Sequence, residues 1–225
     1  MPAQTEVKLE LEVPLPIVLV SVDGKPKQPF ILDTGAGVTV VSCGETPTGP
    51  TTLSTLAFGG MVFRDVAAQC AAIPKGLGAE GILSPQDAFR GALVELDGRA
   101  LAVRLYRDLD QAGWRSLLAE PVHAVPLAWS DGLATVETRI GESSTLAMRL
   151  DSGAGGCGLP RAELDRLGHV GKDEVTLALA VGDSRPGREQ VFLLDGPGSL
   201  GFPWFIGRRA ALSADRKTLL FTDRR

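Results

Sequence analysis

The sequence predicts an all-β protein made of two similar lobes, with few and short helices. Composition is the first reason: 27 glycines and 15 prolines occur among the 225 residues, and helix-type spacing of apolar residues is scarce. A second reason is the motif Leu-Asp-(Thr/Ser)-Gly-Ala-Gly, which occurs at 32–37 and again at 150–155. A third is that the patterns around both copies recur in the same order. Two such lobes pair best about an approximate two-fold axis.

Each copy of the motif follows a predicted β-hairpin. The first hairpin turns at Asp23-Gly24, and the second turns within 141–144. In both, the returning strand is hydrophobic and ends at the Asp of the motif. The predicted strands of the two hairpins are 18–22, 29–32, 134–140 and 145–150.

Downstream features also recur at similar spacing. Gly81-Ile82-Leu83-Ser84 follows the first motif as Gly198-Ser199-Leu200-Gly201 follows the second. A closing hairpin comes next in each lobe, at 92–103 with a turn at Asp97-Gly98, and at 210–221 with a turn near Asp215. The sequence therefore predicts an N-terminal lobe at 1–106 and a C-terminal lobe at 123–225.

Besides a short helix or turn after each of the two recurring downstream elements, helical segments are predicted in two places. The linker 107–122 contains Trp114 and suits one or two helical turns before Pro121. In the second lobe, Leu159–Leu167 is predicted to be helical, with Pro160 at a favoured first position. We expect Phe202, Trp204 and Phe205 to pack beneath the second motif loop.

The repeated motif suggests a specific chemistry. If equivalent loops meet at the two-fold axis, Asp33 and Asp151 come together. Two adjacent carboxyl groups do not both ionise easily, so one keeps a proton while the other is charged. Such a pair can activate a water molecule and polarise a carbonyl group without a metal ion or a nucleophilic side chain.

The doubled motif resembles that of the aspartic protease clan, which contains pepsin and the retroviral proteases. The resemblance covers roughly 15–222, and its short lobes are similar to two fused retroviral subunits or to compact bacterial relatives. It implies a two-lobed pepsin-like or retropepsin-like fold and an aspartic endopeptidase acting on polypeptide. By this resemblance, Asp33 and Asp151 are the catalytic pair. No cofactor and no metal ion are implied, and a monomer suffices because both motif copies are on one chain.

The resemblance also implies roles for the residues beside the two carboxyl groups. Thr34 and Ser152 would lock the two loops together through hydrogen bonds from hydroxyl to backbone. Gly35 and Gly153 would permit the close approach of the loops.

A non-catalytic peptide-binding protein of the same fold is the alternative, because the flap of the clan is not evident. Pepsin-like members carry a flap tyrosine, whereas Tyr106 stands here at the boundary between the lobes. The segment 51–66, turning at Gly59-Gly60, is either the flap or an ordinary structural hairpin; we favour the hairpin. In that case the loop 44–52 is the remnant of a flap.

Other functional classes have less support. The net charge of −4 and the lack of a basic tract argue against nucleic-acid binding, and no apolar run is long enough to span a membrane. Gly-x-Gly-x-x-Gly at 153–158 matches a dinucleotide fingerprint, but the alternation of strands and long helices that it requires is missing. Neither histidine lies in a hydrolase motif.

The three cysteines show no Cys-x-x-Cys spacing. We expect Cys43, Cys70 and Cys157 to be small buried apolar residues, with a bridge between Cys43 and Cys70 as the alternative in an exported protein. No signal peptide is evident, and the sequence leaves two compartments open: the cytoplasm, or the periplasm or cell exterior if such a segment has been removed.

Overall fold

The computed structural model of the chain describes residues 4–10, 15–44, 48–118, 120–130, 133–142, 144–212 and 217–225. The strands are β1 (Gln4–Lys8), β2 (Ile17–Val22), β3 (Gln28–Leu32), β4 (Val40–Val41), β5 (Gly49–Phe58), β6 (Met61–Cys70), β7 (Gly81–Leu83), β8 (Leu93–Asp97), β9 (Ala102–Tyr106), β10 (His123–Pro126), β11 (Ala128–Ser130), β12 (Leu133–Ile140), β13 (Ser144–Leu150), β14 (Cys157–Pro160), β15 (Glu174–Val181), β16 (Gly187–Leu194), β17 (Ser199–Leu200), β18 (Arg209–Leu212) and β19 (Thr218–Phe221). The helices are α1 (Pro85–Ala88), α2 (Gln111–Leu117), α3 (Arg161–Arg166) and α4 (Phe202–Phe205), with a 3₁₀ turn at Lys75–Leu77.

Two sheets with the same strand order form the halves of the molecule. In the N-terminal half, the order β2-β3-β7-β4-β6-β5 closes into a barrel. In the C-terminal half, the sheet has seven strands in the order β11-β12-β13-β17-β14-β16-β15. Its last six strands have the same order at equivalent positions, and β12 also pairs with β15. Both halves contain a parallel pair beside the motif, β3 with β7 and β13 with β17. The sequence repeat is therefore a repeat of topology.

A third sheet joins the halves. Its order is β1-β9-β8-β18-β19-β10, so three strands come from each side of the predicted linker. The central pairing is antiparallel between β8 and β18, with Asp97 opposite Arg209. The predicted closing hairpins do form β8–β9 and β18–β19, but they pair with each other across the halves. The turn expected near Asp215 lies outside the described residues, as does Ser143 in the turn at 141–144.

Helix α2 covers part of the six-stranded sheet. Asp110 caps it by accepting a hydrogen bond from the Gly113 N–H at 2.7 Å, and Trp114 is fully buried against the sheet. Beneath it, the buried carboxylate of Glu95 accepts hydrogen bonds from Tyr106 and Trp114. Arg104 and Arg209 donate to the same carboxylate at 3.1 and 2.6 Å. Four donors thus compensate the burial of one charge, and Tyr106 has a structural role here.

Two sequence-based expectations need correction. The predicted helix at Leu159–Leu167 begins later, at Arg161, because Leu159 and Pro160 still belong to β14. Cys43 and Cys70 form a disulfide instead of two buried thiols. The parallel pairing of β4 with β6 brings Val41 opposite Cys70, and a sequence pattern does not reveal such a pairing. Cys157 is buried and free, as expected, and burial raises the pKa of its thiol to about 12.

Candidate active site

The two motif aspartates lie at equivalent strand ends. Asp33 follows β3, and its backbone N–H donates to the carbonyl oxygen of Leu83 on β7 at 2.9 Å. Asp151 follows β13, and its N–H donates to the carbonyl oxygen of Leu200 on β17 at 3.0 Å. Each aspartate is thus held by the parallel strand that the repeated downstream element supplies. Both residues are partly exposed.

The two loops are joined by reciprocal hydrogen bonds. The Thr34 N–H donates to Ser152 Oγ, and the Ser152 N–H donates to Thr34 Oγ1, both at 3.0 Å. The Ser152 hydroxyl then donates to the carbonyl oxygen of Leu32 at 2.7 Å. Both hydroxyl-bearing residues are at most 1% exposed. Because these bonds are buried and cross from one half to the other, they fix the distance between the loops.

Glycine allows each loop to approach the opposite carboxyl group. A Cβ atom built on Gly35 would lie 2.6 Å from Asp151 Cγ, and one built on Gly153 would lie 2.4 Å from Asp33 Cγ. Real side chains do not tolerate such distances. The N–H groups of Gly35 and Gly153 also donate to Asp33 Oδ1, at 2.7 and 3.2 Å. The structure therefore brings all six residues singled out from the sequence into one cluster.

The carboxyl groups of Asp33 and Asp151 influence each other's pKa. Burial, followed by the negative charge of Asp151, raises the pKa of Asp33 from an ordinary 3.8 to about 6. Burial also raises the pKa of Asp151, but the positive charge of Arg149 and a hydrogen bond from Asp33 act in the opposite direction. Burial thus opposes ionisation of both carboxyl groups, and the charge of Arg149 favours the ionised form at Asp151.

Helix α4 supports the second loop from below. The N–H of Phe202 donates to the carbonyl oxygen of Ala154 at 2.8 Å, and Phe202, Trp204 and Phe205 are all at most 2% exposed. A Cβ atom on Gly201 would lie 2.0 Å from the carbonyl oxygen of Gly156, so the helix begins directly against the loop. These aromatic residues pack where the sequence predicted.

The segment 51–66 is a structural hairpin. It lies within strands β5 and β6 of the barrel, and the N–H of Gly60 in its turn donates to Thr5 Oγ1 on β1 at 2.9 Å. The turn is therefore anchored to the six-stranded sheet and is not available as a flap. The loop 44–52, the other flap candidate, includes residues 45–47, which lie outside the described residues.

Arg149, which lies within the predicted strand 145–150, received no role from the sequence. Residues two apart on a strand share a face, so this spacing already placed Arg149 beside Asp151. Within the described residues, no group of three or more His, Cys, Asp or Glu side chains could hold a metal ion. No described helix is long and apolar enough to cross a membrane.

Comparison with known proteins identifies the fold. No protein-family model and no curated protein sequence matches this chain. The structure of an aspartic proteinase from Irpex lacteus is similar with a TM-score of 0.66 and 10% identity, covering 99% of this chain and 98% of that one. Basic 7S globulin from soybean is similar with a TM-score of 0.66 and 9% identity, covering 97% and 94%. The predicted all-β, pepsin-like fold is confirmed. One of these two neighbours is named as a proteinase and the other as a globulin.

Proposed function

We propose that this protein is an aspartic endopeptidase that hydrolyses peptide bonds of extended polypeptides with the carboxyl pair Asp33 and Asp151. The observation that carries the proposal is the mutual approach of the two carboxyl groups, each lying against the glycine of the opposite loop. The raised pKa of each carboxyl group and the partial exposure of both residues support it further. A carboxyl pair that is costly to bury and belongs to partly exposed residues suits catalysis better than stability.

The proposed reaction needs only these two side chains and water. The Asp151 carboxylate takes a proton from the attacking water as the oxygen of that water bonds to the carbonyl carbon of the peptide. The protonated Asp33 donates its proton to the carbonyl oxygen, which yields a neutral tetrahedral diol. The peptide nitrogen then accepts a proton from Asp151, the C–N bond breaks, and one hydroxyl of the diol returns its proton to Asp33. The products are a carboxylic acid and an amine, and the pair is restored.

Incubation with a denatured protein between pH 3 and 7 tests the proposal directly. We expect fragments from the wild-type protein and none from Asp33→Asn or Asp151→Asn. Each variant keeps the shape of the side chain but removes the shared proton. Asp87→Asn in helix α1 is a matched control that removes one carboxylate elsewhere in the chain. Cleavage by Asp33→Asn at the wild-type rate would refute the mechanism.

Peptide binding without cleavage is the second candidate function. The β5–β6 hairpin favours it, because its turn is held by Thr5 on β1 and is not free to close over the carboxyl pair. The two functions differ in one measurement. If the protein only binds peptides, the wild type should retain labelled peptide intact at every pH between 3 and 7. If it is an endopeptidase, the wild type should release fragments, and only the Asp33→Asn variant should retain intact peptide.

We also propose that the monomer is the active species, because one chain supplies both carboxyl groups. Activity per molecule should stay constant as the protein is diluted. An enzyme whose site is shared between two chains would instead lose specific activity on dilution as the chains separate.

A further inference from the structure

The residue two positions before each motif aspartate is the second-last residue of the preceding strand, so continued strand alternation places it on the side of that aspartate. On β3 this residue is Ile31, and on β13 it is Arg149. On β13, Met148 and Leu150 are fully buried, whereas Arg149 is only half-buried. Strand alternation therefore directs Arg149 away from the core, to the side on which Asp151 emerges.

The N-terminal half surrounds its copy of this position with apolar side chains. Ile31 is in register with Ile17 on β2 and with Ile82 on β7, so three isoleucines form one row across the sheet. Ile31 is 3% exposed and packs in a small cluster with Leu15 and the partly buried Leu77. This row therefore contains no side chain beside Asp33 that could pair with a polar or charged group of a ligand.

The equivalent row in the C-terminal half is polar throughout. Arg149 is in register with Thr135 on β12 and with Ser199 on β17, so Thr-Arg-Ser replaces three isoleucines. Within the described residues, the guanidinium of Arg149 takes part in no ion pair and no hydrogen bond, whereas Arg104, Arg208 and Arg209 are all paired with carboxylates. Its positive charge acts on Asp151, since it lowers the pKa of that carboxyl group. A cation without a partner thus lies on one side of the carboxyl pair.

We propose that Arg149 determines specificity by binding a carboxylate side chain of the polypeptide substrate next to the scissile bond, on the side of Asp151. A guanidinium donates two parallel hydrogen bonds to a carboxylate, which favours Glu or Asp over their amides at that position. This inference rests on the proposed function, and it names the substrate class: polypeptides with an acidic residue on one side of the cleaved bond and an apolar environment on the other.

Paired peptides test the inference. The substrates are fluorogenic octapeptides of apolar residues. In each pair, one peptide has a single Glu and the other has Gln at the same position, and successive pairs place this residue at each position on both sides of the cleaved bond. We expect one position at which the Glu peptide has a kcat/KM roughly 5–20-fold above that of its Gln partner. Both peptides are cleaved by the same carboxyl pair, so the ratio of their kcat/KM values is insensitive to changes in the catalytic step. Ratios near 1 at all positions would overturn the inference and leave the proposed function intact.

Variants of Arg149 assign the preference to this residue. Arg149→Met should bring the ratio close to 1, and Arg149→Glu should reverse it by placing like charges together. Arg139→Met is the matched control, because Arg139 is exposed on β12 at the hairpin end of the same ladder, where it pairs with Thr145. The control should keep the wild-type ratio. A preference that survives in Arg149→Met would overturn the assignment.

Binding separates this inference from the proposed function. The same peptide pairs, labelled with a fluorophore, are titrated with Asp33→Asn and followed by anisotropy. One outcome is that the wild-type protein cleaves no peptide while Asp33→Asn binds Glu peptides more tightly than Gln peptides. In that case the endopeptidase function is refuted, but the binding of a carboxylate by Arg149 is supported. If neither cleavage nor binding distinguishes Glu from Gln, the role of Arg149 is refuted.

Discussion

Thr34 and Ser152 each donate a backbone N–H to the other's hydroxyl oxygen, and both bonds measure 3.0 Å. The two residues come from loops in opposite halves of the chain and are buried at the contact. The position of one aspartate relative to the other therefore depends on two hydroxyl groups that do no chemistry themselves.

Removal of either hydroxyl should lower both stability and activity. In Thr34→Val or Ser152→Ala, a buried N–H loses its acceptor, which costs about 1–3 kcal/mol. For a chain of this size that corresponds to a fall in Tm of roughly 2–4 °C per kcal/mol. Thr34→Ser keeps the hydroxyl and should retain most of the stability. Thermal melts measure this loss of stability without any substrate. An unchanged Tm in both Thr34→Val and Ser152→Ala would mean that these bonds do not hold the loops together.

Alanine at either motif glycine should displace a carboxyl group. The added Cβ would lie 2.6 Å from Asp151 Cγ in Gly35→Ala and 2.4 Å from Asp33 Cγ in Gly153→Ala. Such a shift is on the order of an ångström, and a misplacement of that size can reduce a rate about 100-fold. Gly49→Ala is the control, since its Cβ would meet no atom within 4 Å. Proteolysis assays of the three variants should show loss of activity only in the first two.

Activity should be confined to acidic pH. The proposed mechanism needs a protonated Asp33, whose pKa is raised to about 6 by burial and by the charge of Asp151. As pH rises through 6, Asp33 loses this proton and kcat/KM should fall about tenfold per pH unit. At the acidic end, protonation of Asp151 should also reduce the rate. A pH–rate profile that is flat between 5 and 8 would contradict this assignment.

Asp33→Asn should stabilise the protein at neutral pH and not at acidic pH. A group whose pKa is raised on folding contributes stability below its unfolded pKa, and this contribution is lost as pH rises through the folded value. For Asp33 the loss occurs between pH 3.8 and about 6. It amounts to roughly 3 kcal/mol, since the folded and unfolded pKa values differ by about 2.2 and one pKa unit is 1.36 kcal/mol. The asparagine variant avoids this loss, so its Tm should exceed that of the wild type at pH 7 and match it near pH 4. Asp87→Asn controls for the removal of a negative charge alone.

Loss of the disulfide should destabilise the N-terminal barrel. Cys43 and Cys70 are 27 residues apart, and the chain-entropy relation for a loop of this length gives about 3.5 kcal/mol. The double variant Cys43→Ala, Cys70→Ala should therefore melt several degrees lower than the wild type. Adding a reductant should lower the Tm of the wild type and leave that of the double variant unchanged. Equal melting of the two proteins under oxidising conditions would show that the bridge adds no stability.

The repeat made most of the fold and the candidate site predictable. Equivalent positions of Asp33 and Asp151 in two similar halves were enough to expect their approach, because two-fold pairing brings equivalent loops together. Local pattern also located α2 and its buried Trp114. Pairings between distant strands were not predictable in this way. Neither the contact of β8 with β18 nor the bridge from Cys43 leaves a local pattern, since each depends on how remote segments pack.

The six-stranded sheet imposes an order on the assembly of the protein during its synthesis. Strands β2 to β7, which close the first barrel, lie within 17–83, so that barrel has all its strands early. Glu95 on β8, by contrast, can form its ion pair with Arg209 only after a further 114 residues have been synthesised. Until β18 emerges from the ribosome, one edge of β8 has no partner and the two halves are not joined through this sheet. The proposed hydrolytic activity would therefore depend on the final strands, which join the two halves through this sheet.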